Sequence, residues 1–93
     1  MTETAETRLK RLRMRSMRRG IKEMDLILQD FSDRHLAALA PEELDTFEAL
    51  LSENDQDIYG WITLQAPAPD RFSALIERLR DGARGLTQPP GAD

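Results

Sequence analysis

Six consecutive residues, Arg18-Arg19-Gly20-Ile21-Lys22-Glu23, set two guanidiniums, a position without a side chain and a carboxylate in one short stretch. If a helix ran unbroken through them, Arg19 and Glu23 would lie one turn apart and could pair. Gly20 would leave bare backbone between them, open to close approach by another chain. A guanidinium in that setting makes directional, charge-assisted hydrogen bonds to a carboxylate or a carbonyl. The chemistry on offer is therefore recognition through a flat polar contact. The same spacing also describes an ordinary charge pair beside a helix junction, and both readings stand at this point.

Bond-making chemistry has little to work with. His35 is the single histidine and has no HExxH-type spacing, so it reads as a surface or cap residue. The chain has no cysteine, which excludes disulfides, thiolate metal sites and cysteine nucleophiles. It contains no GxSxG, no P-loop and no GxGxxG. Asp55 and Asp57 form an acid pair, but they fall on a turn in an acidic stretch and read as capping and solvated charge. The expectation is a protein that binds rather than catalyses, with no metal.

The elements that position these residues read as helices throughout. Leu9, Leu12, Ser16 and Arg19 share a face, which predicts a helix over 4–19 whose inner stripe ends on a charge. Gly20 breaks or bends it. Ile21, Met24, Ile27, Leu28 and Phe31 predict a second helix over 21–31, with Ser32-Asp33 as its stop or as the cap of a further turn through Leu39. Ala40-Pro41-Glu42-Glu43 is a helix start, with proline in the first turn and acids at the positive end of the dipole. That third helix turns Leu44, Phe47, Leu50 and Leu51 inward. Asn54-Asp55 caps a fourth, with Ile58, Trp61 and Ile62 on one face and Tyr59 to the side. Gly60 inside it costs about 1 kcal/mol against alanine, which predicts a close helix contact there. Ala66-Pro67-Ala68-Pro69 is a rigid linker, and Asp70 is expected to cap a fifth helix with Phe72, Leu75, Ile76, Leu79 and Ala83 inward. Gly82 and Gly85 mark its end. No stretch alternates with period two, so no strand is expected.

The expected architecture is all-α: one helical bundle domain over 1–86 and a disordered tail over 87–93, where Thr87-Gln88-Pro89-Pro90-Gly91-Ala92-Asp93 has nothing to bury. A chain of 93 residues buries only about 60–65% of its unfolded surface, so a binding surface is easier to build than a deep pocket. No apolar run approaches the span of a bilayer, and there is no secretory signal. The Arg-rich start is faintly like a mitochondrial presequence, but Glu3, Glu6 and the regular helical pattern argue against one.

The net charge of −4 conceals an asymmetry. Residues 1–22 hold eight basic groups and two acidic ones, while residues 23–60 hold eleven acidic groups and Arg34 alone on the basic side. Such a division suits either intramolecular neutralisation or a polarised docking surface. A nucleic-acid reading of the basic helix lacks a helix-turn-helix signature and interleaved aromatics, in a chain of pI ≈ 5.0. Membrane-surface binding lacks aromatic anchors, since the apolar side of helix one is only Leu9, Leu12, Met14 and Met17. Neither nucleic acid nor a membrane is expected as partner.

Arg19-Gly20-Ile21-Lys22-Glu23 resembles the RGxxE motif of the succinate dehydrogenase assembly factor 2 family. Glu23-Met24-Asp25-Leu26 is similar to the family's Glu-Leu-Asp-Leu continuation, with methionine at Met24 a volume-conserving departure. FEALLSENDQDIYGWI, Phe47 to Ile62, is similar to its second block, Phe-x-x-Leu-Leu followed by an acidic turn, an aromatic and a tryptophan. RGxxE alone is weak; joined to the second block at this distance it is fairly specific, and the likeness covers about residues 8–80.

The resemblance implies a five-helix bundle, in agreement with the pattern above. It also implies an assembly factor, or chaperone, that binds the flavoprotein subunit of succinate dehydrogenase, and in some bacteria fumarate reductase. There it promotes covalent attachment of FAD to a histidine of that subunit (flavinylation). FAD then belongs to the partner, and none is expected to bind stably here. Arg19, Gly20 and Glu23 carry over as the partner-binding surface, with Arg18 and Tyr59 as supporting residues. The free chain is expected to be a monomer, in the cytoplasm of a bacterium or the mitochondrial matrix of a eukaryote. The competing readings are an antitoxin-like or regulatory helical binding protein and, after it, a nucleic-acid binder using the basic helix.

Overall fold

The computed structural model describes residues 3–17 and 20–83. Five α-helices follow in order: α1 Ala5–Arg15, α2 Lys22–His35, α3 Pro41–Leu51, α4 Asp55–Ile62 and α5 Asp70–Ala83; a 3₁₀ turn, Leu36–Ala38, follows α2. No strand occurs among the described residues. The expected tail over 87–93 lies outside them.

One apolar cluster holds the bundle together. Its members include Met24, Ile27, Leu28 and Phe31 from α2, Phe47, Leu50 and Leu51 from α3, Ile58 and Ile62 from α4, and the whole predicted stripe of α5. Helix α5 packs on α2, α3 and α4 and is the element the others share. Phe31 stacks on Phe47 at 5.6 Å between ring centroids, and Trp61 on Phe72 at 5.9 Å. Each fully buried Leu, Ile or Phe contributes about 1.5–3 kcal/mol by leaving water.

Side chains cap three helix starts, and at α3 and α4 they follow the chemistry read from sequence. Thr4 caps α1, its hydroxyl accepting from the Thr7 N–H at 3.0 Å. Pro41 opens α3, and the Glu43 carboxylate reaches back to accept from the Ala40 N–H at 2.8 Å. The Asn54 side chain caps α4 by accepting from the Gln56 N–H at 2.8 Å. The far end of α4 is closed from another helix: Arg80 of α5 donates to the carbonyls of Ile62 at 3.0 Å and Trp61 at 2.9 Å.

Several expectations need correction. Helix α1 stops at Arg15, four residues short of the predicted end. Ser16 turns its hydroxyl back on the Leu12 carbonyl at 2.8 Å, and the Met17 N–H bonds to Met14, tightening the last turn. Helix α2 does not stop at Phe31 but continues to His35, because Ser32 faces the core and not solvent. Asp70 is the first residue of α5 and not its cap. Gly60 makes no close helix contact: a Cβ there would meet nothing within 4 Å. Its carbonyl has a role instead, accepting from the Gln65 N–H at 2.8 Å as α4 ends through Leu64 at φ 65°.

Candidate docking site at the first helix junction

The helix is broken where RGxxE lies. Gly20 has φ +117°, a conformation that side-chain-bearing residues rarely adopt, and Ile21 is extended at φ −115°, ψ 120°. The pairing of Arg19 with Glu23 across one unbroken turn is therefore not available. Arg18 and Arg19 themselves lie outside the described residues. Gly20 and Glu23 are both exposed. Glycine at position 20 is thus explained first by the backbone bend it permits, and the bend leaves bare main chain facing outward.

Glu23 projects from the first turn of α2. That helix begins without a side-chain cap, since Ile21 has no acceptor to offer. Glu23 and Asp25 set negative charge against the positive end of the helix. Across the bend lies α4: a Cβ added to Gly20 would sit 3.9 Å from the Asp55 carboxylate. Asp55 and Tyr59 are four residues apart in α4 and share one of its faces. Tyr59 is half-buried and packed against the core, so Gly20 and Tyr59 flank Asp55 from two elements. Sequence spacing gave no sign of Asp55 here, since it lies far along the chain from Gly20.

The arginines of α1 are engaged inside the molecule. Arg8, Arg11 and Arg15 lie on one side of α1 and face Asp45 and Glu48 of α3 and its C-terminal cap Ser52, which repeat with the same intervals of three and four. Arg8 reaches Asp45 at 2.7 Å and Glu48 at 3.1 Å. Arg11 reaches Glu48 at 2.9 Å and Glu3 at 2.8 Å, and Arg15 donates to the Ser52 hydroxyl at 3.0 Å. Arg13 pairs with Asp33 at 3.3 Å. Hydrogen bonding from Arg11 holds the Glu48 and Glu3 carboxyls below the usual carboxylate range. The Arg8 and Arg11 guanidiniums are pushed the opposite way, chiefly by their bonds to Asp45 and Glu3. Intramolecular neutralisation thus accounts for much of the charge asymmetry, and it leaves this face poorly suited to bind phosphates.

The surface has shallow depressions of about 190 Å³, lined by Leu9, Lys10, Arg13, Leu36 and their neighbours, and about 140 Å³ between α3 and α5. Cofactor sites commonly enclose about 300–1,000 Å³, and a dinucleotide such as FAD does not fit either. His35 is exposed, its ring 5.2 Å from Phe31. Among the described residues no cluster of three or more His, Cys, Asp or Glu is placed to hold a metal ion, and no helix is long and apolar enough to cross a membrane.

A small all-helical domain with an exposed, glycine-bent junction is the class of protein defined so far. Residues 10–83 match the family described as flavinator of succinate dehydrogenase. The chain is 40% identical over 86 residues to the mitochondrial succinate dehydrogenase assembly factor 2 of Candida glabrata, covering 87% of this chain and 56% of that protein. It is 41% identical over 87 residues to the protein of the same name in Meyerozyma guilliermondii, covering 88% and 64%. The corresponding protein of Debaryomyces hansenii is 38% identical over 86 residues, covering 87% and 61%. The chain therefore belongs to the succinate dehydrogenase assembly factor 2 family. It spans between about half and two-thirds of the length of these relatives.

Proposed function

We propose that this chain acts on the flavoprotein subunit of succinate dehydrogenase and promotes covalent attachment of FAD, docking through Arg19, Gly20 and Glu23 with Arg18 and Tyr59 in support. The observation that carries the reading is the family match across residues 10–83, which includes a junction whose glycine and glutamate are both exposed. The flavin and the histidine it bonds to belong to the partner, and the flavin's own electrophilicity supplies the chemistry. This chain contributes binding energy. By engaging one conformation of the flavoprotein better than others, it raises the population in which histidine and flavin are aligned. It needs no active site of its own and no resident cofactor. Fumarate reductase is a second client on the same reasoning.

The test is co-expression with the candidate flavoprotein, reading covalent flavin by in-gel fluorescence with and without this chain. Glu23→Lys is the cleaner variant: the side chain is exposed, so circular dichroism should be unchanged while pull-down and flavin incorporation fall at least 10-fold. Gly20→Arg should also abolish binding. The φ of +117° adds about 1–3 kcal/mol of backbone strain, so its melting point should fall while the bundle still forms. Flavin incorporation that is equal with and without the chain would end this reading.

A further inference from the structure

Among the described residues, the buried polar ones are Ser16 and Ser32, at 0% and 2% exposure. They meet each other. The Ser32 hydroxyl donates to the Ser16 hydroxyl at 3.2 Å, and Ser16 donates onward to the Leu12 carbonyl at 2.8 Å. Ser16 is the C-terminal cap of α1, and Ser32 lies in the last turn of α2. The relay therefore joins the cap of α1, just before the proposed docking junction, to the helix that begins just after it.

Helix α1 has little else in the core. Leu12 is the one apolar side chain of α1 that is fully buried, with Leu9 partly buried beside the core; the polar attachments of α1 run to α3 and its cap through Arg8, Arg11 and Arg15, and to α2 through the exposed Arg13–Asp33 pair. Those long side chains hold α1 against α3 but tolerate sliding, since a guanidinium can follow a carboxylate over an ångström or more. Short hydroxyls in a packed interior do not follow in that way. Helix α2, by contrast, is fixed by Met24, Ile27, Leu28 and Phe31. Two contacts tie the end of α1 to α2, the exposed Arg13–Asp33 ion pair and the serine pair, and of these the serine pair is the buried one.

We infer that Ser16 and Ser32 are positioning residues: their buried hydroxyl relay sets where α1 ends relative to α2, and so fixes the junction in its docking geometry. This rests on the docking function proposed above. A hydroxyl pair adds little net stability, because replacing both partners by apolar groups of similar shape is nearly neutral, whereas removing one leaves the other buried without its partner. Stability and affinity should therefore respond differently to the same substitutions.

The experiment uses the full chain and the purified flavoprotein subunit, measuring thermal midpoint and dissociation constant for Ser16→Ala, for Ser16→Ala/Ser32→Ala and for Glu23→Lys. The single variant should melt several degrees lower, and the double variant should return to within about 3 °C of the parent. Binding should weaken about 5- to 10-fold in both, with faster amide exchange at Met17, Gly20 and Ile21 but not in α5. Parental affinity in the double variant, or affinity that recovers together with the midpoint, would overturn the inference and leave the serines a structural role only. Glu23→Lys separates the two claims. If it too binds as the parent, the docking reading fails; if it alone loses binding, docking stands and the positioning role falls.

Discussion

Helices α1 and α5 lie at opposite ends of the chain and are held in opposite ways. Helix α5 inserts Phe72, Leu75, Ile76, Leu79 and Ala83 into the core and touches three other helices. Helix α1 and its cap bury Leu12 and Ser16, rest Leu9 against the core and are otherwise fastened chiefly by ion pairs on the rim. The first kind of attachment is nondirectional, roughly proportional to apolar area and not screened by salt. The second is directional, modest in energy and screened by salt. The proposed docking junction hangs from the second kind on one side and from the first on the other. A surface built this way can keep its scaffold rigid while one border adjusts to a partner.

The sharpest way to break the contrast is to damage the rigid side. Phe72 is 1% exposed and stacks on Trp61. Phe72→Ala should cost about 3–5 kcal/mol through lost burial and the cavity left behind. In a domain this small that is a large share of the total stability. Urea unfolding followed by circular dichroism should show the midpoint collapse, with α1 and α5 lost together.

Damage to the charged side should be milder and should depend on conditions. Glu48 receives both Arg8 and Arg11, so Glu48→Gln should cost about 1 kcal/mol at low salt and less at 1 M salt. The effect should appear as faster amide exchange in α1, with α5 little changed. The pH dependence has a definite sign. The Glu48 and Glu3 carboxyls are held below their ordinary values in the fold, so the folded state binds fewer protons than the unfolded chain near pH 4. Their contribution is fully present above the unfolded carboxylate range, about pH 5 and higher, and is lost as pH falls through the lowered folded values. Thermal midpoints from pH 7 to pH 3 should decline in that window, and Glu48→Gln should flatten the decline.

The same division explains what was legible in the sequence. The α5 stripe was complete, and the faces of α2, α3 and α4 were right in their buried members, because apolar periodicity reports burial directly. Boundaries at polar residues were not. Ser32 looked like a stop because serine favours caps and turns, yet its partner Ser16 made the core a satisfied place for it. The relay had a signal that went unused, since Ser16 already lay on the Leu9–Leu12 stripe. Motif residues Gly20 and Glu23 were readable as a candidate surface, and so was a break or bend at Gly20, where φ is +117°; the Arg19–Glu23 pairing was conditional on an unbroken helix, and that condition is not met. The closeness of Asp55 to Gly20 depends on tertiary packing that no local pattern encodes. Charge arithmetic anticipated neutralisation without naming Glu48 as its centre.

Two smaller predictions concern the end of α4, where residue type and backbone conformation are mismatched. Gly60 sits inside the helix with open space around it, so Gly60→Ala should stabilise the fold by about 0.5–1 kcal/mol, provided the added methyl stays clear as the geometry indicates. A rise of a few degrees in thermal midpoint checks it; a fall would mean that the glycine serves a contact within the fold after all.

Leu64 presents the converse case and the smallest expected change. It occupies a left-handed position, φ 65°, where glycine is favoured, and its side chain is 72% exposed. Little burial is lost on removing that side chain, while the left-handed strain is relieved. The gain is offset in part by the greater freedom glycine has in the unfolded chain. Leu64→Gly should therefore stabilise by about 0.5 kcal/mol, visible as a slight rise in the urea midpoint with an unchanged slope. Because α4 is already closed by Arg80 from the rigid side, neither change at its end should alter amide exchange in α1. If α1 exchange did respond, the two modes of attachment would be coupled through α4, and the contrast between them would have to be redrawn.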